Sequence, residues 1–253
     1  MTKPAAEAVQ LFAAGSLKDV LAGMARSFEA ANGNRVATKF GPSGLLKDEI
    51  VGGAKADLFA SANMTHPRAL HDVGKTGPVV MFARNKLCAL VTPGLQMDSA
   101  GLLDRMLDPD IKLGISTPGA DPSGDYAFDV FDKADALRPG ARAVLRAKAL
   151  QLTGGATSPA PPAGRTVYGW HVAEGRADIF LTYCTNALAA REQYPGQQIV
   201  ALQECLSVAA DYGLTVINGA APAAQAFADF IVSPAGQTIF TNHGFVPATG
   251  AQR

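Results

Sequence analysis

Apolar and polar residues follow two different periods along the chain, and the two periods take turns. Short apolar runs typical of buried strands occur in VQLFAAG, RVATKFG, ADLFASA, LCALVTP, KLGISTP, ADIFLTY, QQIVAL and GLTVING. Between most of them apolar residues return every three or four positions, which predicts helices at 17–31, 43–52, 126–133, 141–152, 167–176 and 223–231. Strands that alternate with helices favour α/β layers around mostly parallel sheets.

The C-terminal part of the chain carries helix start and stop signals. A helix is predicted to end near Val232, and SPAGQ starts another, with Ser233 as N-cap and Pro234 at the first helical position. Gly244 is placed to end that helix. The Pro- and Gly-rich stretch TGGATSPAPPAGRT, residues 153–166, is predicted to be an extended loop.

The composition fits a folded protein without a strongly charged surface. The chain has 253 residues, 48% of them hydrophobic and 17% charged, which allows a large core or two domains. Lys plus Arg and Asp plus Glu both number 22, so no basic field marks a nucleic-acid binder. No apolar run reaches the ~18–20 residues that cross a bilayer. Local dipoles and hydroxyl groups would therefore have to hold any bound anion.

The three cysteines leave their pairing open. Cys88 lies in the apolar run LCALV and is expected to be a small core residue. Cys184 and Cys205 flank strand-like segments of one region, so they either form a disulfide, favouring an oxidising compartment, or remain buried free thiols. No Cys/His spacing indicates a zinc site.

Four strand-to-helix junctions share one local design, in which a small or hydroxyl residue begins the helix. They are AAGSLKDV, FGPSGLLKDEI, DPSGDYAFDVF and AGRTVYGWHV, with Ser16, Ser43, Ser123 and Arg165–Thr166 at the junctions. Each helix start exposes unpaired N–H groups and the positive end of the helix dipole. Several such starts in one crevice, at the carboxyl ends of the strands, would bind an anion without a lysine. Taken singly, each serine is explained as an N-cap of its own helix.

Signals for catalysis are weak. The four histidines show no metal-binding spacing, Ser16 lacks a GxSxG elbow, and no phosphate loop is present. Asp57 and Asp178 each open a buried strand after a helix, which favours turn and cap roles over a paired-carboxylate site. Tyr168 and Trp170 are expected to pack rather than stack on a ligand. The sequence therefore favours a binding protein over an enzyme.

Six segments occur in a characteristic order: FAAGSL, FGPSGLLKDEI, KADLFASAN, DPSGDYA, ADIFLTY and SPAGQTIFTNHGF. Together they resemble the periplasmic molybdate-binding proteins of ABC transporters, and the resemblance covers nearly the whole chain. No single segment is specific, but their order and spacing are.

The resemblance implies an α/β fold of the type II periplasmic binding proteins. Two Rossmann-like lobes would be joined by two crossing strands, near Arg84–Leu87 and Tyr212–Leu214, and would close on one oxyanion. Residues 1–85 with 214–253 would form the first lobe, and residues 86–213 the second. A monomer that delivers its ligand to a membrane permease in the periplasm is expected. MTKPAAEAVQ lacks the apolar core of a signal peptide, which leaves two alternatives open: a cytosolic protein, or a secreted one whose leader is absent from this chain. The resemblance implies the second.

The resemblance also implies which residues hold the anion. Ser16 and Ser43 match the two serine ligands, Tyr183 matches the tyrosine ligand, and Ser123 and Arg165 match positions of backbone N–H donors. These groups would donate hydrogen bonds to the oxygens of the anion rather than ligate its metal atom. No cofactor is implied beyond the bound molybdate or tungstate.

Donors of this kind favour an anion without protons. Molybdate and tungstate are fully deprotonated near neutral pH and only accept hydrogen bonds, whereas phosphate keeps a proton and would need an acceptor such as a carboxylate. Sulfate also only accepts, so the size of the cavity would have to reject it. The alternative that stays open is another small anion, such as an organic carboxylate anchored by the Arg165 guanidinium.

Overall fold

The computed structural model describes residues 7–248, and most of MTKPAAEAVQ therefore lies outside the described part of the chain. Strands and helices alternate along it, which confirms the predicted α/β class. In chain order the elements are β1 (Val9–Ala14), α1 (Lys18–Asn32), β2 (Val36–Gly41), α2 (Ser43–Val51), β3 (Leu58–Ser61), α3 (Thr65–Asp72), β4 (Val80–Val91), α4 (Leu102–Leu107), β5 (Leu113–Ser116), α5 (Pro122–Leu137), α6 (Ala141–Lys148), β6 (Leu150–Thr153), α7 (Val167–Ala173), β7 (Ile179–Tyr183), α8 (Cys184–Gln193), β8 (Gln198–Ala201), β9 (Ala209–Val216), α9 (Pro222–Val232), α10 (Pro234–Asn242) and β10 (Val246–Pro247).

The chain forms two compact units. Unit 1 runs to Arg84 and resumes at Asp211, and unit 2 comprises Asn85–Ala210. The chain therefore leaves unit 1 inside β4 and returns to it inside β9. Within residues 7–248, no helix has the length and apolar character needed to cross a bilayer.

The sheet of unit 1 has the strand order β2–β1–β3–β9. β1 is parallel to both of its neighbours, and β9 is antiparallel to β3. Nearly every residue of β1 is buried, and α2 and α9 both contact this strand. A central parallel strand covered in this way is a continuous apolar run rather than an alternating one, as VQLFAA is.

The sheet of unit 2 is built on β5, which is parallel to β6 and to β7, while β4 is antiparallel to β7 and β8. The prediction of one helix over 141–152 is wrong beyond Lys148, where α6 ends. Leu150–Thr153 instead pairs with β5. Because the apolar spacing continues across this boundary, periodicity alone does not reveal the change from helix to strand.

The C-terminal helix signals are confirmed. The hydroxyl oxygen of Ser233 accepts a hydrogen bond from the Gly236 N–H at 3.2 Å, and Pro234 occupies the first position of α10. Gly244 has φ = 82°, the left-handed conformation expected where this helix ends.

The cysteine pairing differs from both sequence alternatives. Cys88 and Cys184 form a disulfide inside unit 2, and Cys205 is a free, exposed thiol. A Cys184–Cys205 link and a pair of buried free thiols are therefore both wrong, although Cys88 is buried as expected. Cys88 lies opposite Thr182 in the β4–β7 pair, so Cys184, two residues further on, lies on the same side of the sheet. Strand register, which the sequence does not display, selects the partner.

Removing this disulfide should destabilise unit 2. The link spans a sequence separation of 96 residues, and constraining a loop of that length in the unfolded chain contributes about 3–5 kcal/mol. We expect a Cys88→Ala/Cys184→Ala variant to unfold at a lower urea concentration than the wild type, followed by circular dichroism. The matched Cys205→Ser variant should unfold like the wild type. Equal midpoints for all three proteins would show that the link adds nothing to stability.

Candidate functional site

The two predicted serine ligands of unit 1 lie at one edge of its sheet. β1 and β2 are parallel, and their last residues, Ala14 and Gly41, are paired with each other. Ser16 and Ser43 each follow two residues later. Both therefore lie at the carboxyl ends of adjacent parallel strands, where α/β proteins commonly bind ligands.

Neither serine caps its own helix. Ser16 lies in the 3₁₀ turn Gly15–Leu17, and its Oγ is 3.0 Å from the hydroxyl oxygen of Tyr212. Ser43 is the first residue of α2, and its Oγ accepts a hydrogen bond from the Ala62 N–H at 3.1 Å. No side-chain cap is formed at the start of α1 or α2. The N-cap explanation is therefore wrong for both serines.

The Ser43 hydroxyl has an unused proton. The residue is fully buried, and its oxygen is already fixed as an acceptor by the Ala62 N–H. In the described part of the chain this hydroxyl donates no hydrogen bond. Because a buried donor without an acceptor costs free energy, the arrangement suits a hydroxyl that donates to a bound ligand.

Two further polar residues of unit 1, Tyr212 and Ser61, lie at this edge and were not predicted from the sequence. Tyr212, in β9, is fully buried, and its ring packs edge-on against Phe82 and Phe245, with centroids 6.2 and 5.6 Å away. Ser61 ends β3 and donates a hydrogen bond to Asn63 Oδ1 at 3.0 Å. The position of Ser61 at a strand end was an available signal, whereas the Ser16–Tyr212 contact joins residues 196 positions apart.

In unit 2, Tyr183 ends β7 and occupies the N-cap position of α8. Its side chain is 1% exposed, and its ring meets that of Tyr126 edge-on, with 6.3 Å between centroids. Leu87 of β4 pairs with Tyr183, and the disulfide to the next residue, Cys184, adds a covalent link to the same strand. The backbone of Tyr183 is thus fixed to β4 by a strand pairing and, through the next residue, by a covalent link.

Ser123 lies in the first turn of α5 and is fully buried. Its N–H donates to Asp121 Oδ1 at 3.0 Å, which makes Asp121 the N-cap of this helix. The Ser123 Oγ has no hydrogen-bond partner among the described residues. The N–H that the resemblance marks as an anion donor is therefore engaged, whereas the hydroxyl is not. A Cβ on Gly124 would come within 2.4 Å of the Ser116 carbonyl oxygen, so a glycine is needed where α5 meets the end of β5.

Asp121 is a group that the sequence analysis did not single out. Burial raises the pKa of Asp121 to about 6, although the Ser123 N–H and the neighbouring Ser116 hydroxyl favour the ionised form. The negative charge of Asp125 adds to the upward shift. Gly154 makes room for the Asp121 side chain, because a Cβ there would lie 2.5 Å from the Asp121 Cβ.

Tyr168 packs as predicted, with its ring edge-on to Phe180 at 5.2 Å between centroids. Burial, followed by the negative charge of Asp121, raises the pKa of Tyr168 above its ordinary value. The phenol therefore stays protonated at physiological pH. Its hydroxyl lies beside those of Ser116 and Thr182, at the ends of β5 and β7.

Arg165 is engaged elsewhere within unit 2. Its backbone N–H donates to the Pro162 carbonyl at 3.0 Å, and its exposed guanidinium lies over the Tyr194 ring, 5.5 Å from the centroid. The next N–H, that of Thr166, donates to Gln193 Oε1 at 2.7 Å. Neither the side chain nor the two N–H groups are left free by these contacts.

Asp57 and Asp178 have structural roles, as expected, but each binds an N–H of a distant chain segment instead of forming a turn or helix cap. Asp57 Oδ2 accepts the Gln10 N–H at 2.7 Å in unit 1, and Asp178 Oδ2 accepts the Lys112 N–H at 2.8 Å in unit 2. Each carboxylate thus binds a backbone N–H near the start of a strand in its own unit. Searching residues 7–248 for three or more His, Cys, Asp or Glu side chains placed to hold a metal ion finds no such group.

Comparisons with known proteins extend over most of the chain. A family model described as bacterial extracellular solute-binding protein matches residues 9–246. The uncharacterized protein PM1146 of Pasteurella multocida is 32% identical over 241 residues, which are 95% of this chain and 99% of that protein. The molybdate-binding protein ModA of Azotobacter vinelandii is 30% identical over 128 residues, 49% of this chain and 50% of that protein.

A solved structure agrees with the predicted fold. The sulfate-binding protein SubI from Mycobacterium tuberculosis H37Rv superposes with a TM-score of 0.79 at 20% identity, covering 96% of this chain and 88% of that one. This likeness shows the fold alone and confirms the periplasmic binding protein architecture. Because the family model spans nearly all described residues, the chain belongs to the bacterial extracellular solute-binding proteins, the non-enzymatic binding components of ABC importers.

Proposed function

We propose that this protein captures a small tetrahedral oxyanion, with molybdate or tungstate as the ligand, for import by an ABC transporter. The observation that carries the proposal is the Ser43 hydroxyl, which is buried, held through its oxygen by the Ala62 N–H, and left with a proton to donate. Ser16 follows the adjacent parallel strand at the same edge of the sheet.

The chemistry of this edge suits an anion that only accepts hydrogen bonds. Two hydroxyl groups and the positive end of α2 offer donors and partial positive charge. A fully deprotonated oxyanion can use every donor without a proton of its own to place. Similarity to a molybdate-binding protein supports this ligand class, and sulfate, the ligand in the name of SubI, is the competitor to be tested.

The remaining parts of the proposal rest on the resemblance. Tyr183 keeps its predicted role as a further donor, and Ser123 would contribute its unpaired hydroxyl rather than its N–H, which donates to Asp121. The Arg165 N–H, which donates to the Pro162 carbonyl, would have to be released before it could bind the anion. A monomer that meets a membrane permease in the periplasm stays a prediction. The organic carboxylate alternative gains no support, because the Arg165 guanidinium stacks on Tyr194.

Loss of either serine hydroxyl should weaken anion binding. A hydrogen bond to a charged group contributes about 1.5–3 kcal/mol, so Ser16→Ala and Ser43→Ala should each raise the Kd for molybdate about 10- to 100-fold. Isothermal titration with sodium molybdate measures the change. Ser27→Ala is the matched control, because Ser27 is exposed on α1 and its hydroxyl only contacts the Gly23 carbonyl.

The choice among anions needs a separate titration of the wild type. We expect molybdate and tungstate to bind more tightly than sulfate, and sulfate more tightly than phosphate. A thermal-shift screen with the same salts gives an independent reading, because a ligand that binds only the folded protein raises the melting temperature. Phosphate binding tighter than molybdate, or undiminished molybdate binding by both serine variants, would contradict the proposal.

A further inference from the structure

Asp121 places a carboxyl group at the helix start that the resemblance assigns to the anion. Its Oδ1 accepts the Ser123 N–H. The carboxylate therefore occupies the N–H that a bound anion would otherwise use. No Lys or Arg forms an ion pair with Asp121 in the described part of the chain. The charged or titratable groups that act on it are Asp125 from α5 and the Tyr168 phenol from α7.

The helix cap alone does not require this charge. An N-cap needs one oxygen that accepts a backbone N–H, and Asn caps helices as well as Asp does. An uncharged amide would make the same hydrogen bond to Ser123 without the cost of burying an ionised group. The negative charge is therefore an unfavourable feature that the cap does not explain.

Ser123 supplies an independent indication that a ligand uses this turn. Its side chain is fully buried in the first turn of α5, and its Oγ has no partner among the described residues. α5 extends over 16 residues, so the positive end of its dipole is well developed. A buried hydroxyl left unpaired beside a capping carboxyl suits a bound group that interacts with both.

We infer that Asp121 links anion binding to proton uptake: the oxyanion binds at the α5 start with the Asp121 carboxyl neutral and donating its O–H. The inference rests on the proposed oxyanion function. For each anion bound, one proton passes from solvent to an Asp121 oxygen and forms its O–H bond, and no other covalent bond changes. The other carboxyl oxygen continues to accept the Ser123 N–H, and the cap is kept.

The proton removes a like-charge conflict. An ionised Asp121 would face a dianion across a short distance, whereas the neutral carboxyl offers one more donor. Because burial already raises the pKa of Asp121 to about 6 in the free protein, the proton is added at modest cost near neutral pH. Above that pKa each unit of pH should therefore lower the apparent affinity for a fully deprotonated anion by about tenfold.

The test compares wild-type protein with Asp121→Asn, which keeps the cap but cannot ionise. Molybdate is titrated calorimetrically between pH 6 and pH 8, and at pH 7 in two buffers of different ionisation enthalpy. We expect the wild-type Kd to rise about tenfold per pH unit, with nearly one proton taken up per anion. Asp121→Asn should bind with a pH-independent Kd and no proton uptake, while Asp125→Asn, the matched control, should keep the wild-type slope.

The outcomes separate this inference from the proposed function. Molybdate binding with a flat pH profile in the wild type would overturn the inference and leave the proposed function intact. No binding of molybdate, tungstate or sulfate at any pH would overturn both. If hydrogen phosphate binds more tightly to the wild type than to Asp121→Asn at pH 8, then Asp121 accepts rather than donates, and the inference fails.

A second measurement needs no ligand. A carboxyl whose folded-state pKa lies above its unfolded value stabilises the fold least when it is ionised, so stability falls as pH rises from the ordinary value of 3.8 to the folded-state pKa of about 6 and then levels off. Relative to the wild type, the urea midpoint of Asp121→Asn should therefore rise between pH 4 and pH 7 and then level off. A constant difference over this range would show that Asp121 ionises without cost, and it would overturn the inference.

Discussion

Parallel pairing of neighbouring strands is the constraint on which the candidate site depends in each unit. When two parallel strands end together, the residues that follow them share one edge of the sheet, and the helices that follow begin there. β1 and β2 bring Ser16 and Ser43 together in this way in unit 1, and β5 and β7 bring Ser116 and Tyr183 together in unit 2. Backbone N–H groups and helix dipoles then add positive potential without a basic side chain, as the balanced charge of the chain requires.

The two units treat the start of a helix differently. In unit 1 the Ser43 oxygen accepts the N–H of Ala62, just after β3. The hydroxyl proton is then available for a ligand. In unit 2 a carboxylate caps α5 and takes the N–H of Ser123. The first arrangement suits any anion that accepts a hydrogen bond. The second makes the local charge depend on pH, because burial raises the pKa of Asp121 to about 6.

Buried tyrosines and a disulfide hold these edges in place. Tyr212 is fixed by aromatic neighbours and reaches Ser16, so the hydroxyl of a serine in a small-residue turn gains a rigid partner. Tyr183 is fixed by its strand pairing with Leu87 and by the disulfide at the adjacent residue. Groups that bind a small ion need such support, because a shift of a fraction of an ångström changes a hydrogen bond.

The sequence by itself determined the alternation of strands and helices, the caps of the C-terminal helix, and the strand ends and helix starts at which Ser16, Ser43, Ser123 and Tyr183 lie. These features depend on local periodicity and on residues close together in the chain. Only the tertiary structure decided the Cys88–Cys184 pairing, the strand at Leu150–Thr153, the Ser16–Tyr212 contact and the engagement of Arg165 with Tyr194. Each of these depends on which strands pair and in what register, or on which side chains meet across a unit. Such contacts join residues that are distant in sequence, so periodicity and local motifs carry no trace of them.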